Sequence, residues 1–381
     1  MKRVCIFSAQ YFPTSSGGVE RYTYNIAKAL RKRGIEVTIV TSRLGDTPEY
    51  EKSEEGEIYR LPSVGLMNGR FPVVSLGKEY RSIRKKIAEK KYDLVITNTR
   101  FYPLSLVGAR FGKENGSRNI VIEHGTSHMS VHNAVLDLGE QVFEHMITCL
   151  VKMYCKEFWG VSRACLEWQK HFHIKGKSVL YNSVDMEQIH MLRSIAGNSF
   201  RKEHGIPEDA LMIAFTGRLI LEKGVLELLE AYESIRKKFP DTYLVYAGDG
   251  VLYTQIKEKK VPNVILLGQV SFEDVIQLLN VSEIFCLPSV SEGMPTSVLE
   301  AIACENFVIT TARGGAKEII QDESYGIILP QNDTKLVEKA LLKAVEDKDY
   351  RKKAIRKSYE ELDRKFTWER VAEKIEKEFL H

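Results

Sequence analysis

The sequence predicts an α/β protein made of two doubly wound, Rossmann-like domains with parallel sheets, and three observations lead to this prediction. The chain has 381 residues, which is more than one ordinary hydrophobic core organises. Short runs rich in Val and Ile alternate with helical patterns, as in parallel sheets covered by helices. The alternation stops between about 187 and 199 and then starts again. We therefore expect domains at 1–190 and 191–365.

In the first half, a strand at 4–9 is followed by a glycine-containing loop and a helix at 19–32. Gly17 and Gly18 come just after this first strand, at the carboxyl end where doubly wound sheets bind ligands. Glycine there lets a ligand approach the backbone closely. Further strands are predicted at 36–41, 58–61, 93–98, 120–123, 158–161 and 178–181.

In the second half, strands are predicted at 211–216, 243–247, 264–267, 284–287 and 307–310. The segment 288–301 follows the fourth of these. Pro295 favours a helix starting beside it, which places Glu292 in the loop before the helix and Glu300 about a turn and a half inside it. The two carboxylates are then separated by roughly 7–12 Å along the helix axis.

The helix start between these carboxylates suits a phosphate or diphosphate, because it offers unpaired N–H groups and a partial positive charge. A carboxylate on each side can hold hydroxyl groups, one set on a ribose and one on a sugar. The alternative is an ordinary strand–loop–helix connection whose acids are solvated.

Two cations follow the first strand of the second half, in the loop 216–224. Arg218 offers a planar fork and Lys223 a point charge, a pair that matches the two phosphates of a diphosphate. The alternative is a pair of ordinary surface charges.

Composition places the chain among globular proteins, with 44% apolar and 28% charged residues. Its apolar runs are shorter than the roughly 18 residues a membrane helix needs, and the basic N-terminus is interpreted as a first strand. The six cysteines form no CxxC pair. These features predict a cytoplasmic protein with reduced thiols.

Several short motifs occur in an order that resembles the GT-B glycosyltransferases of the large retaining family 4, from residue 4 to about 368. The motifs are Gly17-Gly18-Val19-Glu20-Arg21, Glu123-His124-Gly125, Asn182-Ser183-Val184-Asp185, Gly217-Arg218-Leu219 with Glu222-Lys223-Gly224, Ala247-Gly248-Asp249-Gly250, and Pro288-Ser289 with Glu292-Gly293-Met294-Pro295 and Glu300-Ala301. The family's usual Asn-Gly-Val-Asp is Asn-Ser-Val-Asp here, which removes a flexible residue.

The resemblance implies a two-domain fold facing a cleft and transfer of a sugar from a UDP- or GDP-linked donor, with retention and without a metal or cofactor. The acceptor would be a glycan or a lipid-linked acceptor in cell-surface polysaccharide or glycolipid synthesis, and no nucleic-acid partner is expected. Glu292 would hold donor sugar hydroxyls and Glu300 the ribose. Arg218 and Lys223 would stabilise the leaving diphosphate.

The resemblance also implies contacts from other residues. Gly18, with Gly17 beside it, would approach the phosphates from the first domain, and His124 would contact the donor sugar and the acceptor side. The central motif would add donor contacts from Gly293, Met294, Pro295 and Thr296. The C-terminal segment 366–381 would cross back onto the first domain.

A metal site is one interpretation of His124, His128 and His132, because they are spaced at i, i+4 and i+8. The intervening Gly125-Thr126-Ser127 argues against one helix through them, and no cysteine or acid completes a site. We therefore predict no metal ligands.

Three other functions stay open. A glycoside hydrolase can use Glu292 and Glu300 as its carboxylate pair, but it does not need the Arg218 and Lys223 cations. A hydrolysing nucleotide-sugar epimerase of related fold shares the need to hold a diphosphate. A non-catalytic protein that binds nucleotide sugars is the third alternative.

Charge is distributed unevenly along the chain. Residues 1–190 carry 28 Lys and Arg against 20 Asp and Glu, a net of +8, although the whole chain has only +4. Much of the excess lies at 78–91, where a helix would place Tyr80, Ile83 and Ile87 on one face. Such a helix is either a crossover helix packed on the sheet or an interfacial helix that contacts an anionic membrane.

Overall fold

The computed structural model describes residues 1–15, 17–67, 69–128, 134–195 and 199–380, which form two compact units. Unit 1 comprises Met1–Asn182 and Trp368–His381, and unit 2 comprises Ser183–Thr367. Residues 183–190, which the sequence pattern assigns to the first domain, therefore lie in unit 2. The C-terminal segment from Trp368 lies in unit 1.

The elements of unit 1, up to the short 3₁₀ turn Lys170–Phe172, follow in chain order. They are β1 (Arg3–Phe7), α1 (Gly18–Lys32), β2 (Glu36–Arg43), β3 (Tyr50–Ser53), β4 (Gly56–Leu66), β5 (Phe71–Val74), α2 (Lys78–Ala88), β6 (Leu94–Asn98), α3 (Pro103–Asn115), β7 (Arg118–Glu123), α4 (Ala134–Tyr154), β8 (Glu157–Gly160) and α5 (Arg163–Gln169).

The sheet of unit 1 has the order β3-β4-β2-β1-β6-β7-β8, with β5 paired to β4. The pairs along β4-β2-β1-β6-β7-β8 are parallel, with Ile6 aligned to both Ile39 and Ile96. The edge strands β3 and β5 pair antiparallel to β4, which the prediction of parallel strands alone did not include. The predicted strand at 178–181 is also wrong, since only a single bridge joins Val179 to Gly160.

Helix α2 packs on this sheet through its apolar face. Ile83 and Ile87 are almost fully buried, in a cluster with Val95 of β6 and Phe111 of α3, and Tyr80 packs against the same cluster. The crossover-helix interpretation therefore holds for its apolar side, because that side is already covered by the core. The exposed face is basic.

The elements of unit 2, and the C-terminal helix that follows them, continue the numbering. They are α6 (Met186–Ile195), α7 (Ser199–Glu203), β9 (Leu211–Thr216), α8 (Val225–Lys238), β10 (Thr242–Ala247), α9 (Tyr253–Glu258), β11 (Val264–Leu266), α10 (Phe272–Asn280), β12 (Ile284–Leu287), α11 (Thr296–Ala303), β13 (Phe307–Thr311), α12 (Ala316–Ile319), β14 (Ile327–Leu329), α13 (Thr334–Glu346), α14 (Lys348–Lys365) and α15 (Trp368–Phe379).

The sheet of unit 2 is parallel throughout, in the order β11-β10-β9-β12-β13-β14. Its central strand β12 is buried at all four positions, as expected of a parallel strand covered on both faces. Helix α6 occupies most of the stretch 187–199, where the alternation of apolar runs in the sequence stops. Across the described part of the chain, each helix is too short or too polar to cross a bilayer.

The strand order of unit 2 is that of a dinucleotide-binding sheet. The first three strands are added toward one edge of the sheet and the next three toward the other, so the order reverses between the first and fourth strands. Here that switch point lies between β9 and β12. Ligands bind in the crevice beyond the carboxyl ends of strands at such a point. The loops that follow β9 and β12 are therefore the expected location of a ligand-binding site.

Candidate functional site

Three loops meet at the switch point of unit 2, following β9, β12 and β13. The amide of Val290 donates to the carbonyl of Glu222 at 2.8 Å, which ties the loop after β12 to the loop after β9. The amide of Gly315 donates to the carbonyl of Gly293 at 2.8 Å, which ties it to the loop after β13. The central loop is thus held by its backbone on both sides.

Two glycines allow this close approach. Gly224 has a φ of +68°, and a Cβ there would lie 2.2 Å from the carbonyl oxygen of Pro288. Gly314 has a φ of +54°, and a Cβ there would lie 2.3 Å from the carbonyl oxygen of Glu292. No side chain fits at these distances, so both glycines are required by the packing of the loops themselves.

The loop contacts bring two predicted site residues into direct contact. Lys223 Nζ lies 2.7 Å from Glu292 Oε1, and the two side chains are 20% and 11% exposed. The resemblance implies separate roles for them, on the diphosphate and on the sugar. An ammonium group has three N–H donors and Glu292 accepts one of them, so Lys223 can hold Glu292 and an anion together.

The other predicted residues of this loop group differ in exposure. Arg218 is exposed, and within the described ranges its side chain makes no ion pair. The side chains of Met294 and Pro295 are buried, so a ligand would meet their backbone rather than their side chains. Gly293, Thr296 and Glu300 are partly exposed.

Helix α11 starts in the same place. Its N-cap is Pro295, which has no side chain able to cap the first amides. The N-terminal N–H groups therefore keep their capacity to bind an anion, and the helix dipole favours negative charge there. Lys223, Arg218 and this helix start can together neutralise a diphosphate.

In unit 1, His124 follows β7 and lies in a defined hydrogen-bond network. Its Nε2 is 3.0 Å from Asn98 Oδ1, and Asn98 Nδ2 donates to Thr23 Oγ1 at 2.8 Å. The Thr23 hydroxyl donates in turn to the carbonyl of Val19 at 2.8 Å. This network assigns the amide orientation of Asn98, so that Nε2 of His124 carries the proton and Nδ1 is left as an acceptor.

Burial lowers the pKa of His124 from 6.5 to about 3, so the ring is neutral at physiological pH. The ring of Tyr22 packs edge-on against it at 4.8 Å, and Trp368 packs edge-on against Tyr22 at 5.2 Å. The start of α15 therefore supports the ring that holds His124 in place. In this neutral tautomer, Nδ1 can accept one hydrogen bond without bringing charge.

Gly17 and Gly18 begin α1, with Gly17 as its N-cap. A Cβ built at Gly18 meets no atom within 4 Å, so the backbone there faces open space. This is compatible with the predicted approach of a ligand, and the predicted contact itself stays a prediction.

A buried ion network beside His124 was missed by the sequence analysis. Arg100 forms ion pairs with Glu123 and Glu144, and all three side chains are at most 6% exposed. Glu123 Oε1 also accepts hydrogen bonds from the amides of His124 and Gly125, at 3.0 and 3.1 Å. Linear spacing gives no signal that residues 100, 123 and 144 meet, since they come from different elements.

Comparisons with known families agree with this architecture. The model of the family described as Glycosyltransferase Family 4 matches residues 16–188, and the model described as Glycosyl transferases group 1 matches residues 198–361. Between them they account for most of both halves of the chain. The protein therefore belongs to the group 1, family 4 glycosyltransferases, and its fold is GT-B.

Individual proteins support the assignment. The chain is 26% identical to a Campylobacter jejuni protein named as an α-1,4-N-acetyl-D-galactosaminyltransferase acting on a diphosphate-linked undecaprenol glycan, over 90% of this chain and 89% of that protein. It is 24% identical to one of the subunits of human phosphatidylinositol N-acetylglucosaminyltransferase, over 98% of this chain and 75% of that protein. The solved structure of HepE from Anabaena in complex with UDP has a TM-score of 0.76 at 17% identity, over 99% of both chains.

Proposed function

We propose that this glycosyltransferase moves a hexose or N-acetylhexosamine from a UDP- or GDP-linked donor, with retention, to a glycan or lipid-linked acceptor. The observation that carries the proposal is the Lys223–Glu292 pair at the switch point of unit 2, beside the uncapped start of α11. The pair supports the proposal because it would supply a cation for the diphosphate and a carboxylate for sugar hydroxyls at the end of one sheet.

The chemistry proposed for this site needs no divalent ion. Negative charge develops on the diphosphate as the bond to the sugar breaks, and Lys223 and Arg218 stabilise it. The N–H groups at the start of α11 add to this stabilisation. Glu292, partly released from Lys223 as phosphate binds, accepts hydrogen bonds from sugar hydroxyls, and Glu300 accepts them from the ribose.

UDP-linked donors are the first to test. HepE, which shares the fold, has been solved with UDP and with UDP-glucose. The names of the Campylobacter and human relatives specify N-acetylhexosamine transfer. These similarities support a UDP-linked hexose or N-acetylhexosamine, with GDP-sugars as the comparison set.

Incubation with radiolabelled UDP- and GDP-sugars, with and without acceptor, tests the proposal. Free nucleoside diphosphate together with a new glycoside supports transfer, and NMR of the anomeric proton shows whether configuration is retained. Release of a 2-epimer would favour the epimerase alternative. Saturable binding that leaves the donor unchanged would favour a non-catalytic binder.

A lipid-linked acceptor is the acceptor class we propose first. The names of both relatives specify lipid-linked acceptors. Unit 1 also has features suited to a membrane surface. The exposed face of α2 carries Arg81, Lys85 and Lys86, and α4 exposes an apolar row made of Leu138, Val142, Met146, Leu150 and Met153. We therefore propose peripheral contact between unit 1 and an anionic cytoplasmic membrane surface.

Vesicle co-sedimentation distinguishes the contribution of the basic face of α2 from that of the apolar row of α4. Replacing Arg81, Arg84, Lys85 and Lys86 with Gln should reduce binding only to vesicles that contain phosphatidylserine, and added salt should do the same. Replacing Val142 and Met146 with Gln should reduce binding to neutral and anionic vesicles alike. Equal low recovery of the wild-type protein on both vesicle types would instead favour a soluble glycan acceptor.

A further inference from the structure

Three histidines of unit 1 meet at one point, although they are far apart in the sequence. His128 follows β7, His145 lies on α4, and His171 lies in the 3₁₀ turn after α5. Nε2 of His171 is 3.1 Å from Nε2 of His128 and 3.2 Å from Nε2 of His145. One possible ligand atom from each ring lies within 4.8 Å of the other two. We call this group the histidine trio.

The sequence spacing pointed to a different set of histidines. His124 uses its Nε2 in the contact with Asn98, and His132 lies outside the described residues. His128 is the only member shared by the two sets. The trio depends on α4 and the turn after α5 packing beside the end of β7, which linear spacing does not show.

Hydrogen bonding among the rings does not satisfy all three nitrogens. Nδ1 of His128 lies 2.5 Å from Glu144 Oε2, and a carboxylate accepts, so the proton of a neutral His128 is on Nδ1. Its Nε2 is then a lone pair directed at His171. If Nε2 of His171 carries a proton, this one N–H is its only donor for two contacts; if it does not, its lone pair faces the lone pair of His128 Nε2. Neutral rings therefore cannot form two full hydrogen bonds here. A bound cation removes this conflict.

Two of the three nitrogen–nitrogen separations fit metal coordination. Two imidazole nitrogens on a tetrahedral zinc ion, each about 2.0–2.1 Å from the metal, lie about 3.3 Å apart. The two short separations in the trio differ from this value by only about 0.2 Å. Imidazole nitrogen is a preferred ligand of zinc and of other late transition metals.

The surroundings favour a cation as well. Glu144 holds His128 as the outer carboxylate of a carboxylate–histidine–metal arrangement, which fixes ring orientation and tautomer. The buried network contains one guanidinium, Arg100, and two carboxylates, Glu123 and Glu144. One turn before Glu144, both carboxylate oxygens of Glu140 are buried and lack a hydrogen-bond partner among the described residues. The local charge is therefore negative.

We propose that the histidine trio binds one divalent transition-metal ion, with Zn²⁺ as the reference ion, through His128, His145 and His171. Glu144 is the positioning residue for His128. The site contains neither of the cations proposed for sugar transfer, Arg218 and Lys223, which belong to unit 2. It is linked to His124 through Glu144, Arg100 and Glu123, so the ion would also stabilise the backbone at the end of β7.

The test uses full-length, untagged protein, because a polyhistidine tag would bind zinc itself. After treatment with EDTA and removal of the chelator, zinc content is measured by mass spectrometry following equilibrium dialysis, and affinity by competition with a chromophoric chelator. The expected result is one zinc per chain and a higher melting temperature for the zinc-bound protein. Cobalt substitution should give the strong visible absorption of a tetrahedral site.

Variants assign the ligands. His171→Gln and His145→Gln should lose zinc binding by about 100-fold or more, and Glu144→Gln by about 10–100-fold. His171 is exposed, so its variant should fold even if a variant at the more buried Glu144 does not. The control is His173→Asn, an exposed histidine two residues away with a φ of +54° that Asn tolerates. The His173→Asn variant should bind zinc with the affinity of the wild-type protein.

Two results would overturn the proposal. One is the absence of saturable micromolar zinc binding by the wild-type protein. The other is equal zinc affinity in the wild type, His171→Gln and His145→Gln, which would place the zinc elsewhere. Neither result bears on the transfer reaction proposed for unit 2.

Discussion

The charged side chains at the carboxyl end of the unit 2 sheet come from loops directly after strands, whereas those of unit 1 come partly from helices. Lys223 and Glu292 follow β9 and β12, and their pair remains partly exposed. In unit 1, Arg100 follows β6, Glu123 ends β7 and Glu144 lies inside α4, and all are buried. The two sheets nevertheless share the same order for their parallel strands.

We expect this difference to separate groups that meet a ligand, in unit 2, from groups that mainly hold structure, in unit 1. A partly exposed ion pair is less costly to break and re-form when an anion arrives than a fully buried one. A buried pair is costly to disrupt, because losing one partner leaves an uncompensated charge in the interior. We therefore expect substitutions in unit 2 to change catalysis and substitutions in the unit 1 network to change stability.

The largest effect is expected at the unit 2 pair. Glu292→Ala should lower transfer by about 10³-fold or more with little change in the unfolding midpoint, because it removes a sugar contact and the partner of Lys223. Steady-state turnover and urea unfolding measure the two quantities. The control is Glu258→Ala, which removes an exposed carboxylate of α9. Turnover near the wild-type value in Glu292→Ala would show that this residue has another role.

The next effect is expected in unit 1. Arg100→Met should lower the free energy of unfolding by about 3–5 kcal/mol, because two buried carboxylates lose their counter-charge. Arg110→Met is the matched control, since Arg110 and Glu114 form an exposed i,i+4 pair, and exposed pairs contribute little to stability. Denaturant titration compares them. Equal losses in the two variants would contradict the contrast between buried and exposed pairs.

Loss of one diphosphate-binding cation should have a somewhat smaller effect. Lys223→Ala and Arg218→Ala should each cost about 3 kcal/mol of transition-state stabilisation, seen as a fall in kcat of about 10²-fold, with Lys257→Ala as the exposed control. The assay is run in EDTA and in the His171→Gln background, so that a metal at the histidine trio does not contribute. Full activity of the Lys223 and Arg218 double variant, or a need for added divalent ion, would argue against the metal-free step.

The smallest effect is a pH dependence at His124. Its folded-state pKa of about 3 lies below the ordinary 6.5, so between these values the unfolded chain holds a proton that the folded chain does not. The free energy of unfolding therefore falls as pH falls through this window, by at most about 1.4 kcal/mol per pH unit, and is unaffected above it.

His124→Gln, whose amide can still donate to Asn98, should reduce this slope. Urea unfolding between pH 7.5 and pH 4.5 measures it, with the exposed His204→Gln as the control. An unchanged slope in His124→Gln would mean that this ring has the same pKa in the folded and unfolded protein.

The sequence alone was sufficient to locate the loops that directly follow buried parallel strands. The strands at 211–216 and 284–287 are found as predicted, and so is the start of α11 next to Pro295. Apolar runs mark buried parallel strands, and the loop after such a strand carries the ligand-binding groups. Position along the chain then gives position at the sheet edge, which is why Lys223 and Glu292, predicted from motifs, both lie there. Their roles on the diphosphate and the sugar stay predictions.

Only the tertiary structure decided which elements lie side by side. The Lys223–Glu292 pair, the antiparallel edge strands β3 and β5, and the burial of the apolar face of α2 all depend on strand order and helix packing. The same holds for the histidine trio, whose members are separated by 17 and 26 residues. Local sequence sets the period and burial of each element, but contacts between distant elements arise from packing, which no local pattern encodes.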